Sequence, residues 1–166
     1  MMEDKKIIIA LGSNQGDRLA NLRLALSNMV SWGFKINKRS SVWETAPWGD
    51  TDQDTFYNMC VSASCEKDEA TMLSVLKDIE MKVGRIRTRR WGPRVIDLDI
   101  IFSGDVVMET EILTIPHTYM HKRAFVLRPL AEIEPDFVHP VLGKSVSQLL
   151  EELEDDDETM KKVGVI

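Results

Sequence analysis

Two cysteines are all that 166 residues contain, which excludes a fold held together by a disulfide framework. Cys60 and Cys65 lie an odd number of residues apart in a stretch with strand-like alternation. They therefore sit on opposite faces and cannot bridge without breaking the strand, and both are read as reduced thiols in a cytoplasmic protein. Long hydrophobic runs are missing as well. Residues 1–6 are polar, and Ile7–Leu11 is too short for a signal peptide or a membrane span, so no membrane partner is expected. A broad basic excess is also lacking. The net charge is −6, and seven acids between Glu151 and Glu158 leave the rest of the chain at +1. A near-neutral body argues against a general nucleic-acid-binding surface. What remains is ordinary globular composition, 43% hydrophobic and 29% charged. The expectation is one domain over residues 1–153, working as a monomer, followed by an acidic and disordered tail over 154–166.

Against that neutral background one stretch stands out. Five of the ten arginines (Arg85, Arg87, Arg89, Arg90 and Arg94) fall within ten residues that hold no acid. Two aspartates, Asp97 and Asp99, come directly after them. Val95–Phe102 reads as a strand, with Ile96, Leu98, Ile100 and Phe102 on one face and both aspartates on the other. Two carboxylates side by side raise one pKa unless a cation lies between them. Arginines followed by such a pair suit a phosphate carrying magnesium, which takes one or two carboxylates plus phosphate oxygens. On its own the Asp-Leu-Asp pattern equally fits the solvent edge of a half-buried strand. Gly92 and Pro93 mark the arginine stretch as a loop. Trp91 within it could lie on a ring or a guanidinium, or plug the loop from below.

Taken in order, the chain alternates strands and helices. Ile7–Leu11 suits a central strand buried on both faces. The turn Gly12-Ser13-Asn14-Gln15-Gly16-Asp17 lacks the lysine and spacing of a P-loop and reads more readily as a connector. Asp17 caps a helix to Ser31, with Leu19, Leu22, Leu26, Met29 and Val30 inward and Gly33 as its stop. Phe34–Glu44 is the next strand, and Thr45-Ala46-Pro47-Trp48-Gly49 opens a polar loop. In Phe56–Cys65 one face carries Tyr57, Met59, Val61, Ala63 and Cys65, while Phe56, Asn58, Cys60 and Ser62 share the other. An aromatic with an amide two residues on can stack a flat heterocycle and bond its edge. An exposed pair is the plainer reading. Asp68 caps a second helix to Val83 that stops at Gly84. Glu80 in its last turn opposes the helix dipole and so invites a partner, while Lys77 and Lys82 are poorly spaced to supply one. Ser145-Val146-Ser147-Gln148 is a capping box opening a C-terminal helix. Strand–helix–strand twice over gives an α+β, ferredoxin-like βαββαβ core with an antiparallel sheet. Extra short strands are expected, with helices on one face and a cleft on the other.

Gly84-Arg85-Ile86-Arg87, then Arg90-Trp91-Gly92-Pro93-Arg94, then Asp97-Leu98-Asp99-Ile100 together resemble the signature of the hydroxymethyldihydropterin pyrophosphokinases of folate synthesis. The resemblance runs from about Ile7 to Leu153. It implies transfer of pyrophosphate from ATP to the hydroxymethyl group of 6-hydroxymethyl-7,8-dihydropterin, releasing AMP. It further implies that Asp97 and Asp99 hold two Mg2+ ions and that Arg87 and Arg123 neutralise phosphate charge, with Arg85 and Arg94 in support. Glu80, Ile100, Thr114 and His117 would position ATP. Phe56 and Phe125 would sandwich the pterin, with Asn58 and the Thr45-Ala46-Pro47-Trp48 backbone at its edge, Gly12 nearby and Trp91 closing over both substrates. Thr118 departs from the family, where proline or an aromatic is usual, and Ala46 replaces a frequent proline. Two other classes fit parts of the pattern. An RNA-recognition module shares the strand order, but its aromatic motif is missing and two aspartates would face a polyanion. A two-metal phosphodiesterase would need further Asp or His ligands.

Overall fold

A computed structural model describes residues 5–47, 52–84, 94–154 and 159–166. Its centre is β1 (Ile7–Ser13), which pairs antiparallel with β4 (Phe56–Ser64) on one side and β5 (Asp97–Ser103) on the other. The continuous apolar run explains the place: Ile7, Ile9 and Leu11 enter one core and Ile8 a second core on the opposite face. The strand order is β5, β1, β4, β3 (Val42–Thr45) and β8 (Lys161–Gly164), with β2 (Lys35–Arg39) also beside β4. The expected α+β class and antiparallel βαββαβ order are thus present.

The first core lies under two helices. α1 (Arg18–Ser31) starts where Asp17 accepts from the Ala20 backbone N–H. α2 (Glu69–Val83) starts where Asp68 accepts from Thr71 N–H at 2.8 Å, and it ends at Gly84, whose φ of 119° only glycine adopts readily. Leu22, Leu26 and Met29 are buried as expected. Val30 is not: it is 53% exposed, and Ala25 takes the inward position. Successive helical side chains point about 100° apart, so Met29 and Val30 cannot both face the same narrow core.

The span expected to form one strand from Phe34 to Glu44 is two strands, β2 (Lys35–Arg39) and β3 (Val42–Thr45). The break falls at Ser40, whose N–H donates to Cys60 C=O while its Oγ accepts from Cys60 N–H, both at 2.9 Å. A serine can thus keep both backbone groups of β4 satisfied across a bend.

The other face of the sheet is not left open along its whole length. Ile8, Cys60, Ile101 and Phe102 form a second core under α3 (Ala124–Ile133) and α4 (Val146–Glu151). Cys60 and Ser62, expected to project away from the core, are buried there. Phe102 joins them because the β1–β5 register shifts between Ile8 and Ile9, so Ile8 faces Phe102 while Ile9 faces Ile100. That irregularity reverses the alternation inferred for residues 95–102 beyond Ile100. The capping box is present, with Ser145 Oγ accepting from Gln148 N–H and Gln148 Oε1 from Ser145 N–H. Two short strands, β6 (Met108–Glu109) and β7 (Thr114–Ile115), form a separate ribbon.

Residues 159–166, expected to be part of a disordered tail, are ordered. β8 (Lys161–Gly164) pairs with β3, and Met160 is 6% exposed. The acidic run ends at Glu158, and residues 159–166 contain Met160, Val163, Val165 and Ile166 and no acid. Averaging composition over the whole tail hides that change. Among the described residues no helix is long and apolar enough to cross a membrane.

Candidate active site

Among the described residues, the part of the second face that α3 and α4 leave uncovered lies where β4, β1 and β5 run side by side. Strand register places Asn58 opposite Gly12, and Gly12 opposite Asp97; one step along, Cys60, Ala10 and Asp99 form the parallel row. Asn58, Gly12 and Asp97 therefore share a row, with Asp99 beside them on the same face. Gly12 is required by space. A Cβ there would stand 2.6 Å from Asn58 Oδ1 and 3.5 Å from Phe56 Cδ1. Asn58 is 7% exposed and its Nδ2 donates to Thr45 Oγ1 at 2.7 Å, which fixes the amide orientation and turns Oδ1 toward Gly12. Phe56 is half-buried beside this row and pairs with Thr45 across β3.

Asp97 and Asp99 are both half-buried on that face. The Asp99 carboxyl is pushed up to about 7, first by loss of solvent and then by the charges of Asp97 and Glu80, against the opposing pull of Arg123 and Lys77. Arg123 is 8% exposed and lies at the N-cap of α3, its guanidinium 5.2 Å from the Tyr119 ring centroid and 5.4 Å from that of Phe125. One buried arginine thus faces the carboxylates while lying against the ring proposed for pterin. The side chains present fit a magnesium ion. They offer hard oxygen donors whose crowded charge a cation relieves, and no cluster of three or more His, Cys, Asp or Glu forms among the described residues. Two carboxylates without a complete protein cage suit an ion that keeps water and phosphate oxygens in its shell.

The outer edge of β5 carries the residues expected to meet ATP. Glu80 is 2% exposed, and its Oε2 accepts from Leu98 N–H at 2.9 Å. Its partner is therefore the sheet edge, and Lys77 Nζ also comes within 3.9 Å of Oε1. Residues three apart on a helix are neighbours, so the expectation that Lys77 is poorly spaced for Glu80 does not hold. His117 N–H donates to Ile101 C=O at 3.0 Å, and its Nδ1 accepts from Tyr119 N–H at 3.3 Å. Burial, helped by Arg123, drives the His117 pKa down to about 4, so the ring is neutral near pH 7. Thr114 is half-buried on β7. Ile100 is different: its side chain is 3% exposed in the core under α1 and α2, opposite the aspartates. Only its backbone is available to a nucleotide. Arg94 is half-buried at the approach to β5. Ala46 follows β3 directly. Arg85, Arg87, Trp91 and Trp48 lie outside the described residues, as do Arg89 and Arg90.

Asn14 is the residue that sequence reasoning passed over as part of a connector. It is 3% exposed, and its side chain joins Arg94 to the stretch before Phe56. The only hint was a short polar residue in a turn directly after a buried strand.

The chain matches the family model described as 7,8-dihydro-6-hydroxymethylpterin-pyrophosphokinase (HPPK) over residues 8–135. It is 43% identical over 147 residues to the 2-amino-4-hydroxy-6-hydroxymethyldihydropteridine pyrophosphokinase of Methylorubrum extorquens, covering 88% of this chain and 92% of that one. To the protein of the same name from Synechocystis it is 41% identical over 148 residues, covering 89% of this chain and 75% of that one. A solved HPPK-DHPS in complex with substrates shares the fold with a TM-score of 0.75 at 15% identity. The similarity covers 96% of this chain but 47% of that longer one. On these grounds the chain belongs to the 7,8-dihydro-6-hydroxymethylpterin-pyrophosphokinase family and is a pyrophosphokinase of folate biosynthesis.

Proposed function

We propose that the face bearing Asn58, Gly12, Asp97 and Asp99 is where pyrophosphate passes from ATP to 6-hydroxymethyl-7,8-dihydropterin. The hydroxymethyl oxygen bonds to the β-phosphorus and gives its proton to solvent, the bond from that phosphorus to the oxygen bridging toward the α-phosphorus breaks, and AMP leaves. Asp97 and Asp99 would hold two Mg2+ ions, which supply charge neutralisation across the phosphates and stabilise both the attacking and the leaving oxygen. Asn58 presents Oδ1 to the pterin edge, its amide held by Thr45, with the backbone of Thr45 and Ala46 alongside. Phe56 and Phe125 stack the ring. Gly12 leaves room for it. Arg123 and Arg94, with Arg85 and Arg87, offset phosphate charge, and Trp91 covers the pair. Glu80, Thr114, His117 and the Ile100 backbone position ATP along the β5 edge, where neutral His117, its Nδ1 taken by Tyr119 N–H, donates from Nε2 without adding charge.

The observation that carries this reading is the single row Asn58–Gly12–Asp97. It sets an amide suited to a heterocycle two strands away from a carboxylate suited to a metal, with a glycine on the strand between them. No dedicated base is needed, since positioning and electrostatics dominate phosphoryl transfer. In this reading the enzyme is a cytoplasmic monomer that acts on ATP and the pterin and takes neither nucleic acid nor a membrane as partner. The test is to supply ATP, magnesium and 6-hydroxymethyl-7,8-dihydropterin and resolve the nucleotides. AMP and the pterin diphosphate should appear in equal amounts, whereas ADP as the product would overturn the reading.

A further inference from the structure

Asn14 has partners on both polar atoms of its side chain. Nδ2 donates to Gln53 Oε1 at 2.8 Å and to Asp54 C=O at 3.1 Å, while Oδ1 accepts from Arg94 N–H at 2.7 Å. Its own backbone N–H returns a bond to Arg94 C=O at 3.0 Å. A connector that only joined β1 to α1 would not need a buried amide bonded at both ends, because each lost tie would leave a buried polar group unmatched.

The two segments so joined belong to different substrates in the proposed site. Arg94 stands on the phosphate side. Gln53 and Asp54 lead into Phe56 and Asn58 on the pterin side. The second segment is pinned again by Arg18, whose Nη1 donates to Thr55 C=O at 3.0 Å and to Thr55 Oγ1 at 2.9 Å. The Arg18 guanidinium itself lies 3.8 Å from the Tyr57 ring centroid. Between Arg94 and Phe56 there is consequently little slack: a shift of one backbone is passed to the other or breaks a buried bond.

We infer that Asn14 is a positioning residue that couples the two halves of the cleft, so that each substrate raises the affinity for the other. This rests on the proposed placement of ATP and pterin. Coupling of this kind is reciprocal, and its usual size is about 5- to 150-fold.

Calorimetry on the whole chain tests it. Pterin binding is measured with and without magnesium and a nonhydrolysable ATP analogue, in the wild type, in Asn14→Asp and in Gln53→Ala. Asn14→Asp keeps the acceptor for Arg94 but sets an oxygen against Asp54 C=O, and Gln53 regains a bond only by turning its amide, so the tie is altered on one side only. Gln53→Ala removes one of the two acceptors of Asn14 Nδ2 on the half-buried far side. In the wild type the analogue should tighten pterin binding at least about fivefold. In Asn14→Asp that factor should approach one while each ligand alone binds within about twofold of wild type, and Gln53→Ala should fall between. A purely structural role for Asn14 would weaken both ligands without touching the factor. Undiminished coupling in a folded Asn14→Asp would overturn the inference; if that variant fails to fold, undiminished coupling in Gln53→Ala does so. A wild type that binds both ligands independently would overturn it too. A wild type that binds neither would instead overturn the site assignment.

Discussion

Asn58 and Gly12 face each other across β4 and β1 so closely that a methyl group on Gly12 would stand 2.6 Å from the Asn58 amide oxygen. Gly12 is not one of the left-handed glycines of this fold, so room is what it supplies. Gly12→Ala should push the Asn58 amide off Thr45 and leave the fold intact. Losing that buried bond and the aim of Oδ1 is worth about 1–2 kcal/mol, so pterin affinity should drop by roughly tenfold while ATP affinity holds. Calorimetry with each ligand separately reads the split, and an equal loss of both would point to a folding defect.

The carboxylates make stability depend on pH with a definite sign. Asp99 is raised from 3.8 to about 7. The folded protein therefore holds a proton there that the unfolded chain gives up, and stability is lost as pH rises from about 4 through 7. Asp99→Asn should raise the melting temperature above pH 7, by a free energy on the order of 1–4 kcal/mol, and should change it little at pH 4. Magnesium with ATP should stabilise the wild type and do much less for the variant. His117 has the opposite sign. Its pKa falls from 6.5 to about 4, so stability is lost as pH drops through that window, by at most about 1.4 kcal/mol per pH unit. Thermal melts from pH 4 to 9 check both limbs, and identical profiles for wild type and Asp99→Asn would contradict the account.

The tail should matter for stability. Val42, Trp43 and Glu44 pair with Gly164, Lys162 and Lys161. Lys162 Nζ lies 5.4 Å from the Trp43 ring centroid and 3.9 Å from Glu132 Oε2, and Trp43 Nε1 donates to the same carboxylate. Removing residues 159–166 exposes Met160's site and the β3 edge. Burial of one such side chain is worth about 1.5–3 kcal/mol, so the melting temperature should fall by roughly 3–10 °C. An unchanged melt would mean that β8 contributes nothing to the fold.

Much of this was readable in the sequence because local signals and tertiary demands agreed. Asp17 and Asp68 cap the helices they were expected to cap, and Gly84 ends α2. Phe56, Asn58, Asp97 and Asp99 were placed on the faces they occupy by period-two alternation alone. Where the reading failed, a long-range contact had intervened. Phe102 changed faces at a register shift set by β1, and Ser40 broke a strand by bonding to Cys60. Glu80 found its partner in the Leu98 N–H of an edge strand eighteen residues away, which no helical spacing predicts. Asn14 was missed for the same reason: its partners lie 39, 40 and 80 residues along the chain.

The central claim is that Asp97 and Asp99 serve the reacting phosphates while Asn58 serves the pterin. AMP release from ATP and 6-hydroxymethyl-7,8-dihydropterin, followed in Asp97→Asn and Asp99→Asn with pterin affinity measured on the same samples, tests it most directly. Each variant should lose at least about a hundredfold in turnover and keep its pterin affinity within a few-fold. A variant that retained more than about a tenth of wild-type turnover, or lost pterin binding in proportion to turnover, would contradict the account.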